Sequence, residues 1–216
     1  MNDDVGVEYI HKSELSKYIQ EPLYCFGVRG ANGSGKSSIV HKFIETDGHT
    51  EEIFVEGIKK TAFVYSPMYN ILFLGSYRTA CGGCDTFVKE QIVKLLKMAW
   101  NSSANIMFEG IIVGDSGKPY YYLMKELNEI RQRVFGFIYL DVSIETCLAR
   151  VYSRNKGKAI KEELVKDKHK NANKYYEWQK SQGDAFVVKV NAEKPIEEVF
   201  QSILNITKKI AETQID

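Results

Sequence analysis

The segment that most constrains how this chain can fold is Gly30-Ala31-Asn32-Gly33-Ser34-Gly35-Lys36-Ser37, which fits the pattern G-x-x-x-x-G-K-[ST]. Glycines at these spacings let successive backbone N–H groups curl around phosphate oxygens, while the lysine reaches the β- and γ-phosphates and the serine hydroxyl ligates Mg²⁺. The apolar run 24–28 precedes the segment, so a strand enters the loop and a helix leaves it, with its positive end toward the anion. We therefore predict a phosphate-binding loop; the alternative is a glycine-rich turn before an ordinary helix.

The predicted loop implies a bound nucleoside triphosphate, taken here as ATP, together with Mg²⁺. Lys36 has a second, catalytic role in this prediction, because its charge would stabilise the phosphoryl group during transfer. Contacts to the nucleotide are expected from the loop and from the first turn of the helix behind it: Gly30, Asn32, Gly33, Ser34, Gly35, Lys36, Ser37 and Ser38.

Composition narrows the class of protein without identifying a partner. With 44% hydrophobic and 26% charged residues, the 216-residue chain is long enough to bury a sizeable core. A formal net charge of +1 offers no global argument for binding nucleic acid or membrane. The acidic start, Met1-Asn2-Asp3-Asp4, does not resemble a signal peptide, and no run reaches the roughly 18 apolar residues of a membrane span. We expect a cytoplasmic protein with no membrane partner.

Four cysteines are too few and too scattered for a disulfide framework. Cys81-Gly82-Gly83-Cys84 matches C-x-x-C, but a zinc site needs two further ligands, and Cys25 and Cys147 belong to a predicted strand and a distant predicted helix. We expect a tight Gly-Gly loop with incidental thiols; a zinc site and a redox pair are the alternatives.

Strand-like and helical segments alternate along the chain, which predicts an α/β fold with a mainly parallel sheet and helices on both faces. Predicted strands are 23–29, 60–65, 71–77, 105–108, 135–141 and 185–190, with a hairpin joining the second and third. Predicted helices are 12–19, 36–45, 87–100, 120–131, 144–154, 161–182 and 196–211. We predict one domain over residues 1–216, a three-layer, nucleotide-kinase-like P-loop NTPase fold with a helical lid at about 144–160.

Two other classes of phosphate-loop protein are disfavoured. A switch GTPase needs an Asn-Lys-x-Asp segment to read guanine, and the nearest candidate, Asn173-Lys174-Tyr175-Tyr176, lacks the aspartate. Motor ATPases generally need a second subdomain, for which the roughly 100 to 200 residues of one typical domain leave little room. A compact kinase is the interpretation that remains.

A kinase must bind Mg²⁺, orient or deprotonate the acceptor, and close cations over the transferring phosphoryl group. Glu109 ends an apolar strand, as a Walker B carboxylate does, so Ser37 and Glu109 are the predicted Mg²⁺ ligands. Asp85, in a polar segment after another strand, is the predicted base, although it and Glu109 can exchange these roles. A plain helix N-cap is the alternative for Asp85.

Two arginines and one polar segment complete the predicted site. Arg150 and Arg154 lie one helical turn apart, so both guanidinium groups share a face and fit a closing lid; a solvated face paired with acids is the alternative. Ligands of open α/β sheets bind beyond the carboxyl ends of strands, which locates the acceptor around residues 77–86. The expected acceptor contacts are Tyr77, Arg78, Gly83, Asp85 and Glu109.

Four segments carry a resemblance to a known family: Gly75-Ser76-Tyr77-Arg78, Gly82-Gly83-Cys84-Asp85-Thr86, Phe108-Glu109-Gly110 and 139–151. Over about residues 24–154 the chain resembles the small phosphate-loop kinases of bacteriophages that hypermodify thymine. That family includes 5-hydroxymethyluracil DNA kinases, so the resemblance implies ATP-dependent phosphorylation of a base's hydroxymethyl group within DNA, in the host cytoplasm if the chain is phage-encoded. Residues 155–216 match nothing specific, which leaves the choice of acceptor open.

A basic stretch bears on the DNA acceptor. Between residues 150 and 174, nine lysines and arginines outnumber three acids, which suits a polyphosphate backbone. Tyr175, Tyr176 and Trp178 follow and could stack on exposed bases; the alternative is a solvated lysine-rich helix with aromatics on its core face. Three hypotheses stand: a kinase for 5-hydroxymethyluracil in DNA, a nucleoside or nucleoside monophosphate kinase, and a non-catalytic nucleotide-binding regulatory module.

Overall fold

One mixed sheet of seven strands runs through the residues that the computed structural model describes, 23–79, 82–110, 117–156 and 158–212. In chain order the strands are β1 Tyr24–Arg29, β2 Glu51–Phe54, β3 Thr61–Ser66, β4 Ile71–Leu74, β5 Asn105–Glu109, β6 Val134–Asp141 and β7 Phe186–Asn191. The helices are α1 Lys36–Asp47, α2 Lys89–Trp100, α3 Gly117–Ile130, α4 Ile144–Arg154, α5 Glu162–Gln182 and α6 Ile196–Glu212. The predicted helix 12–19 and Cys81 of the C-x-x-C pair lie outside the described residues.

The strands stand in the order β2-β3-β4-β5-β1-β6-β7, and β4, β5, β1, β6 and β7 pair in parallel. Every residue of β1 is buried, as expected of a parallel strand covered on both faces. β3 and β4 form the predicted antiparallel hairpin, with Ser66 opposite Ile71 and Phe63 opposite Leu74. The predicted mainly parallel α/β sheet is therefore confirmed, although β4 ends at Leu74, three residues before its predicted end.

β2 is an edge strand that we did not predict. It pairs antiparallel with β3, and all four of its residues are exposed. Because neither of its faces is buried, its sequence carries no alternation of apolar and polar residues for a pattern argument to detect.

Helices cover both faces of the sheet and bury two separate layers of apolar side chains. One layer packs α1, α4 and α6 against residues such as Phe26 and Ile138. The other packs α2 and α3 against residues such as Phe108 and Phe137. This arrangement is the predicted three-layer architecture. In the described ranges, no helix combines the length and apolar character that a bilayer crossing requires.

The aromatic residues of α5 pack onto the core. The Tyr176 ring lies edge-on to Tyr139 at 5.4 Å between centroids, and the Trp178 ring lies 5.1 Å from that of Tyr121. Tyr175 also packs against the same core layer. Of the two predicted interpretations of α5, this arrangement favours a lysine-rich helix whose aromatic residues face the core.

The parallel strands define two edges of the sheet. At the upper edge, β1, β4, β5, β6 and β7 end; at the lower edge, the same strands begin. Arg133 lies at the lower edge, directly before β6, and is 5% exposed. Its guanidinium donates to backbone carbonyl oxygens of Ala99, Trp100, Ser102 and Ala104, at 2.5 to 3.4 Å. Burial lowers the pKa of Arg133 to about 10, and these carbonyls satisfy its donors.

The start of α2 differs from its prediction. The helix begins at Lys89 with Val88 as its N-cap, and the Val88 N–H donates to Oε1 of Gln91 at 3.2 Å. Asp85 and Thr86 lie instead in a 3₁₀ turn, Cys84–Thr86. The alternative that Asp85 is a plain N-cap of this helix is therefore wrong. The turn holds the Asp85 backbone at the upper edge of the sheet, next to the end of β5.

Candidate functional site

The predicted phosphate loop joins β1 to α1 at the upper edge, and Lys36 is the first residue of α1. Lys36 is 8% exposed, and its ammonium donates to the carbonyl oxygens of Gly30 at 3.0 Å and Ala31 at 2.9 Å. Burial lowers the pKa of Lys36, while negative charge on Glu109 and Asp85 raises it. A phosphate group in the loop would exchange the two carbonyl contacts of the ammonium for stronger, charge-assisted ones.

Two other polar groups of the loop are buried without a partner. Neither Asn32 Oδ1 nor Ser34 Oγ is paired with any group that the structure describes. Buried polar atoms are nearly always hydrogen-bonded, so unpaired ones call for a ligand or an ordered water. Both residues line the same cavity as Lys36, which is the arrangement expected of a loop that holds an anion.

Ser37 and Glu109 meet across the loop. The Ser37 hydroxyl donates to Oε1 of Glu109 at 3.0 Å, and Glu109 is 1% exposed. Burial raises the pKa of Glu109 to about 7, the charge of Lys36 and the Ser37 hydrogen bond oppose that shift, and Asp85 adds to it. A carboxylate in this position takes up a proton more readily than an exposed one does.

Asp85 approaches the same carboxylate from the 3₁₀ turn. A Cβ added to Gly110, directly after β5, would lie 2.8 Å from Oδ1 of Asp85. A Cβ at Gly83, where φ is +70°, would lie 2.6 Å from Oε1 of Glu109, so a side chain at this position would collide with the carboxylate. The turn can therefore lie against the end of β5 only because glycines occupy both positions.

A cavity of about 590 Å³ opens at the upper edge and brings most of the predicted site together. Arg150 donates to the carbonyl oxygens of Gly33 at 3.4 Å and Ala192 at 3.0 Å, so it is held against the loop. Arg154 lines the cavity one turn further along α4. The predicted site residues that line it are Asn32, Gly33, Ser34, Gly35, Lys36, Ser37, Ser38, Asp85, Glu109, Arg150 and Arg154.

The cavity lining lacks three predicted acceptor contacts, Tyr77, Arg78 and Gly83, and the predicted loop contact Gly30. Gly83 still lies against Glu109, and burial and the charges of Glu109 and Asp85 raise the pKa of Tyr77. The buried Tyr77 donates its hydroxyl to the carbonyl oxygen of Leu74 at 3.3 Å. Arg78 is paired through two hydrogen bonds with Glu52 of β2, and its side chain is 65% exposed. Neither residue lines the cavity described above.

Sequence reasoning missed one wall of the cavity. The segment after β7 and the first turn of α6 contribute Ala192, Lys194, Ile196 and Val199. The rule that strand ends line ligand sites could have found them, because β7 ends at Asn191 on the same edge as the loop. Their apolar and aliphatic surfaces can pack against the base or sugar of a nucleotide whose phosphates lie in the loop.

The donor atoms at the loop fit one hard cation shared with a nucleotide. Ser37 and Glu109 supply a hydroxyl and a carboxylate oxygen, the ligand types that Mg²⁺ prefers. Within the described ranges, no three or more histidine, cysteine, aspartate or glutamate side chains cluster as a metal cage would require. Mg²⁺ commonly uses one or two protein ligands and completes its shell with phosphates and water. The described cysteines, Cys25, Cys84 and Cys147, are unbridged and buried.

Two solved structures share the fold. A gluconokinase from Sinorhizobium meliloti superposes with a TM-score of 0.53 at 16% identity, covering 89% of this chain and 95% of that one. The YorR protein from Bacillus subtilis gives a TM-score of 0.52 at 10% identity, covering 85% and 95%. At these identities the likeness concerns the fold alone, and it confirms the predicted nucleotide-kinase-like P-loop architecture.

Sequence comparison identifies the family. The 5-hmdU DNA kinase of Bacillus phage SP10 is 30% identical over 185 residues, 77% of this chain and 29% of that protein. The 5-hmdU DNA kinase 1 of Salmonella phage ViI is 31% identical over 148 residues, 65% of this chain and 64% of that protein. The chain thus spans less than two thirds of the length of either relative. A sequence model for the 5-hmdU DNA kinase family matches residues 11–191. The chain belongs to the 5-hmdU DNA kinase family.

Proposed function

We propose that the chain is an ATP-dependent kinase that phosphorylates the hydroxymethyl oxygen of 5-hydroxymethyluracil in DNA. One observation carries this proposal: Lys36 and Ser37 of the phosphate loop share a cavity with Asp85 and Glu109. A donor phosphate bound at the loop would therefore lie beside two carboxylates that can accept a proton from an acceptor hydroxyl. The names of the phage relatives suggest which acceptor supplies that hydroxyl.

In the proposed reaction, the hydroxymethyl oxygen attacks the γ-phosphorus and forms a new O–P bond. The bond from the γ-phosphorus to the β–γ bridging oxygen breaks, and ADP leaves. The hydroxyl proton passes to the carboxylate of Asp85, with Glu109 as the alternative base. Lys36 stabilises charge on the transferring group, and Arg150 and Arg154 close over it from a lid at about 144–160.

Mg²⁺ belongs to the proposal as the metal held by Ser37 and Glu109. When bound, it would neutralise charge on the β- and γ-phosphates. The buried carboxylate of Glu109 must be ionised to bind the cation, so the groups around it have to stabilise its negative charge. The 3.0 Å contact between Ser37 and Glu109 already holds the two ligands within reach of one ion.

A DNA acceptor is supported by charge on α4, α5 and the segment between them. The side chains of Arg154, Lys156, Lys170 and Lys174 are exposed, and Arg154 also lines the cavity. Exposed cations of this kind can bind a phosphate backbone, and Arg154 brings one of them to the cavity. A base in a duplex would have to leave the stack to reach Asp85, as with other enzymes that act on bases.

Incubation with γ-labelled ATP tests the proposal. The acceptors are an oligonucleotide carrying one 5-hydroxymethyluracil, the same oligonucleotide with thymine, and the free 5-hydroxymethyl nucleoside and nucleotide. We expect label on the modified oligonucleotide and none on the thymine control. Label found only on the free compounds would favour the nucleoside or nucleoside monophosphate kinase. ATP binding without label on any acceptor would favour the regulatory module.

A further inference from the structure

Arg29, the last residue of β1, is a buried cation that lacks hydrogen-bond acceptors. It is 2% exposed, and in the parts of the chain that the structure describes no atom accepts from its Nε, Nη1 or Nη2. Its guanidinium carbon lies 4.7 Å from the centroid of the Phe137 ring. The face of the ring attracts the positive charge, but it does not provide the hydrogen-bond acceptors that the N–H groups need. A buried cation without acceptors is costly, so it calls for a ligand or another group that accepts from it.

The polar groups around Arg29 do not supply an opposite charge. Its electrostatic neighbours are the hydroxyls of Tyr139, Tyr120 and Tyr175 and the thiol of Cys84. Burial raises the pKa of Tyr120 to about 12 and raises that of Cys84 as well, so both are neutral near pH 7. The Tyr139 hydroxyl donates to Gln179 at 2.6 Å. The Tyr120 hydroxyl, like Arg29, is buried and unpaired among the described residues.

Arg29 and the Tyr120 hydroxyl lie near the proposed reaction centre. A Cβ at Gly110 would lie 2.8 Å from Oδ1 of Asp85 and 3.2 Å from Cβ of Cys84, so the two residues meet the same strand end. Asp85 acts electrostatically on Lys36 and Glu109, and Cys84 acts on Arg29. Cys84 and Asp85 are adjacent in the chain, so the guanidinium of Arg29 and the carboxylates of the site lie near the same short turn.

We propose that Arg29 donates to the C4 carbonyl oxygen of the acceptor pyrimidine and thereby selects a uracil ring over a cytosine ring. This inference rests on the proposed function, because it takes Asp85 as the group that meets the C5 hydroxymethyl. On the ring, C4 is bonded to C5, so the C4 substituent lies next to that hydroxymethyl. Arg29 is an electrostatic neighbour of Cys84, which directly precedes Asp85 in the chain. In this proposal the C5 hydroxymethyl therefore meets Asp85 while the C4 oxygen faces Arg29.

The two bases differ in the group that they present at C4, and this difference favours uracil. Uracil presents a carbonyl oxygen at C4, and a guanidinium offers only donors, so the two are complementary. Cytosine presents an amino group at C4, which would set donor against donor and leave Arg29 unpaired. A single well-formed side-chain-to-base contact discriminates between bases by roughly 10- to 100-fold, and we expect that preference in kcat/KM.

The test compares wild type, Arg29→Met and Arg29→Gln on oligonucleotides that carry one 5-hydroxymethyluracil or one 5-hydroxymethylcytosine. Methionine removes the donors, so kcat/KM for the uracil substrate should fall by roughly 10-fold or more and the preference should collapse. Glutamine offers both a donor and an acceptor, so it should serve the two bases nearly equally. Arg131→Met, at a partly exposed arginine of the lower edge, is the matched control and should keep the wild-type preference.

Three further measurements distinguish the possible outcomes. Thermal midpoints and ATP dissociation constants establish that each variant is folded and holds nucleotide, and the glutamine variant serves if the methionine variant does not fold. Equilibrium binding of the free 5-hydroxymethyl nucleotides measures base preference without turnover. If wild type labels no DNA but its binding preference depends on Arg29, the proposed function fails and this inference stands. If both Arg29 variants keep the preference for uracil, or if wild type shows none in either assay, the inference is overturned.

Discussion

Two buried arginines occupy opposite edges of the same sheet. Arg133 at the lower edge donates to four backbone carbonyl oxygens, whereas Arg29 at the upper edge has no acceptor among the described residues. Each lies near an aromatic ring, 5.8 Å from Trp100 for Arg133 and 4.7 Å from Phe137 for Arg29. Burial lowers the pKa of both. The two arginines are therefore alike in burial and ring contact, and they differ in whether hydrogen-bond acceptors surround the guanidinium.

The difference separates a structural role from a binding role. At the lower edge, the chain satisfies its own buried cation, and the arginine ties the end of α2 to the start of β6. At the upper edge, buried atoms of Arg29, Asn32, Ser34 and Tyr120 find no partner in the part of the chain that the structure describes. We infer that substitutions at the lower edge will cost stability, while those at the upper edge will cost activity. Four predictions test this division, in order of expected size.

The largest effect is expected for Asp85→Asn at the upper edge. Because an amide cannot take the acceptor's proton, kcat should fall by roughly 10²- to 10⁴-fold while ATP affinity is kept. Steady-state kinetics and nucleotide titration measure the two quantities. Glu109→Gln is the comparison: if that variant lost only turnover and Asp85→Asn lost little, Glu109 would be the base.

The next effect is expected for Arg133→Met at the lower edge. Four backbone carbonyl groups would each lose a donor, although those of Ala99 and Ala104 would still accept from Ser102. The free energy of unfolding should therefore fall by about 3–5 kcal/mol. Urea denaturation followed by circular dichroism measures it. Arg131→Met, two residues away, should change the value by less than about 0.5 kcal/mol. If Arg133→Met lowered the free energy of unfolding by less than about 1 kcal/mol, the structural role that we assign to Arg133 would be wrong.

Lys36→Met should lower kcat by roughly 10²- to 10³-fold, because the charge that stabilises the transferring phosphoryl group is gone. The unfolding free energy should change by no more than about 1 kcal/mol, since the same substitution removes a desolvated charge. Kinetics and denaturation on one preparation measure both. A variant that kept its turnover would contradict the assignment of the phosphate loop.

The smallest effect is expected in the stability of Arg29→Met. Removing an unpaired buried charge should leave the free energy of unfolding unchanged or raise it by about 1–2 kcal/mol, in contrast to Arg133→Met. Parallel denaturation of the two methionine variants measures the contrast directly. If Arg29→Met were destabilised as much as Arg133→Met, the two edges would not differ in the way described.

Much of this fold could be predicted because its elements carry clear patterns. β1, β5 and β6 are apolar runs covered on both faces, and α4 matches its predicted bounds at both ends. The start of α2 was mispredicted because Asp85-Thr86 resembles a cap, while Val88 and Gln91 perform that role. Local sequence cannot distinguish the two, since a 3₁₀ turn and a helix start favour the same polar residues.

The candidate site was predictable where a single motif encodes it. Residues 32–38 line the cavity, because their roles depend on spacing within one segment, whereas the predicted contact Gly30 does not. Arg78 was expected near the acceptor, but its charge is paired with Glu52 on a strand that the sequence did not reveal. The sequence did not single out Arg29, because what distinguishes it is the absence of acceptors among the described residues, which only the packed structure can show.

The closeness of the phosphate loop to α4 has a mechanical consequence. A Cβ at Gly33 would lie 2.4 Å from the carbonyl oxygen of Cys147, and Arg150 of α4 also bonds the Gly33 carbonyl. Because the loop packs directly against α4 at this point, a shift of Gly33 toward the helix would displace Arg150 and Arg154 with it. A nucleotide that moved the loop in that direction would therefore reposition both arginines.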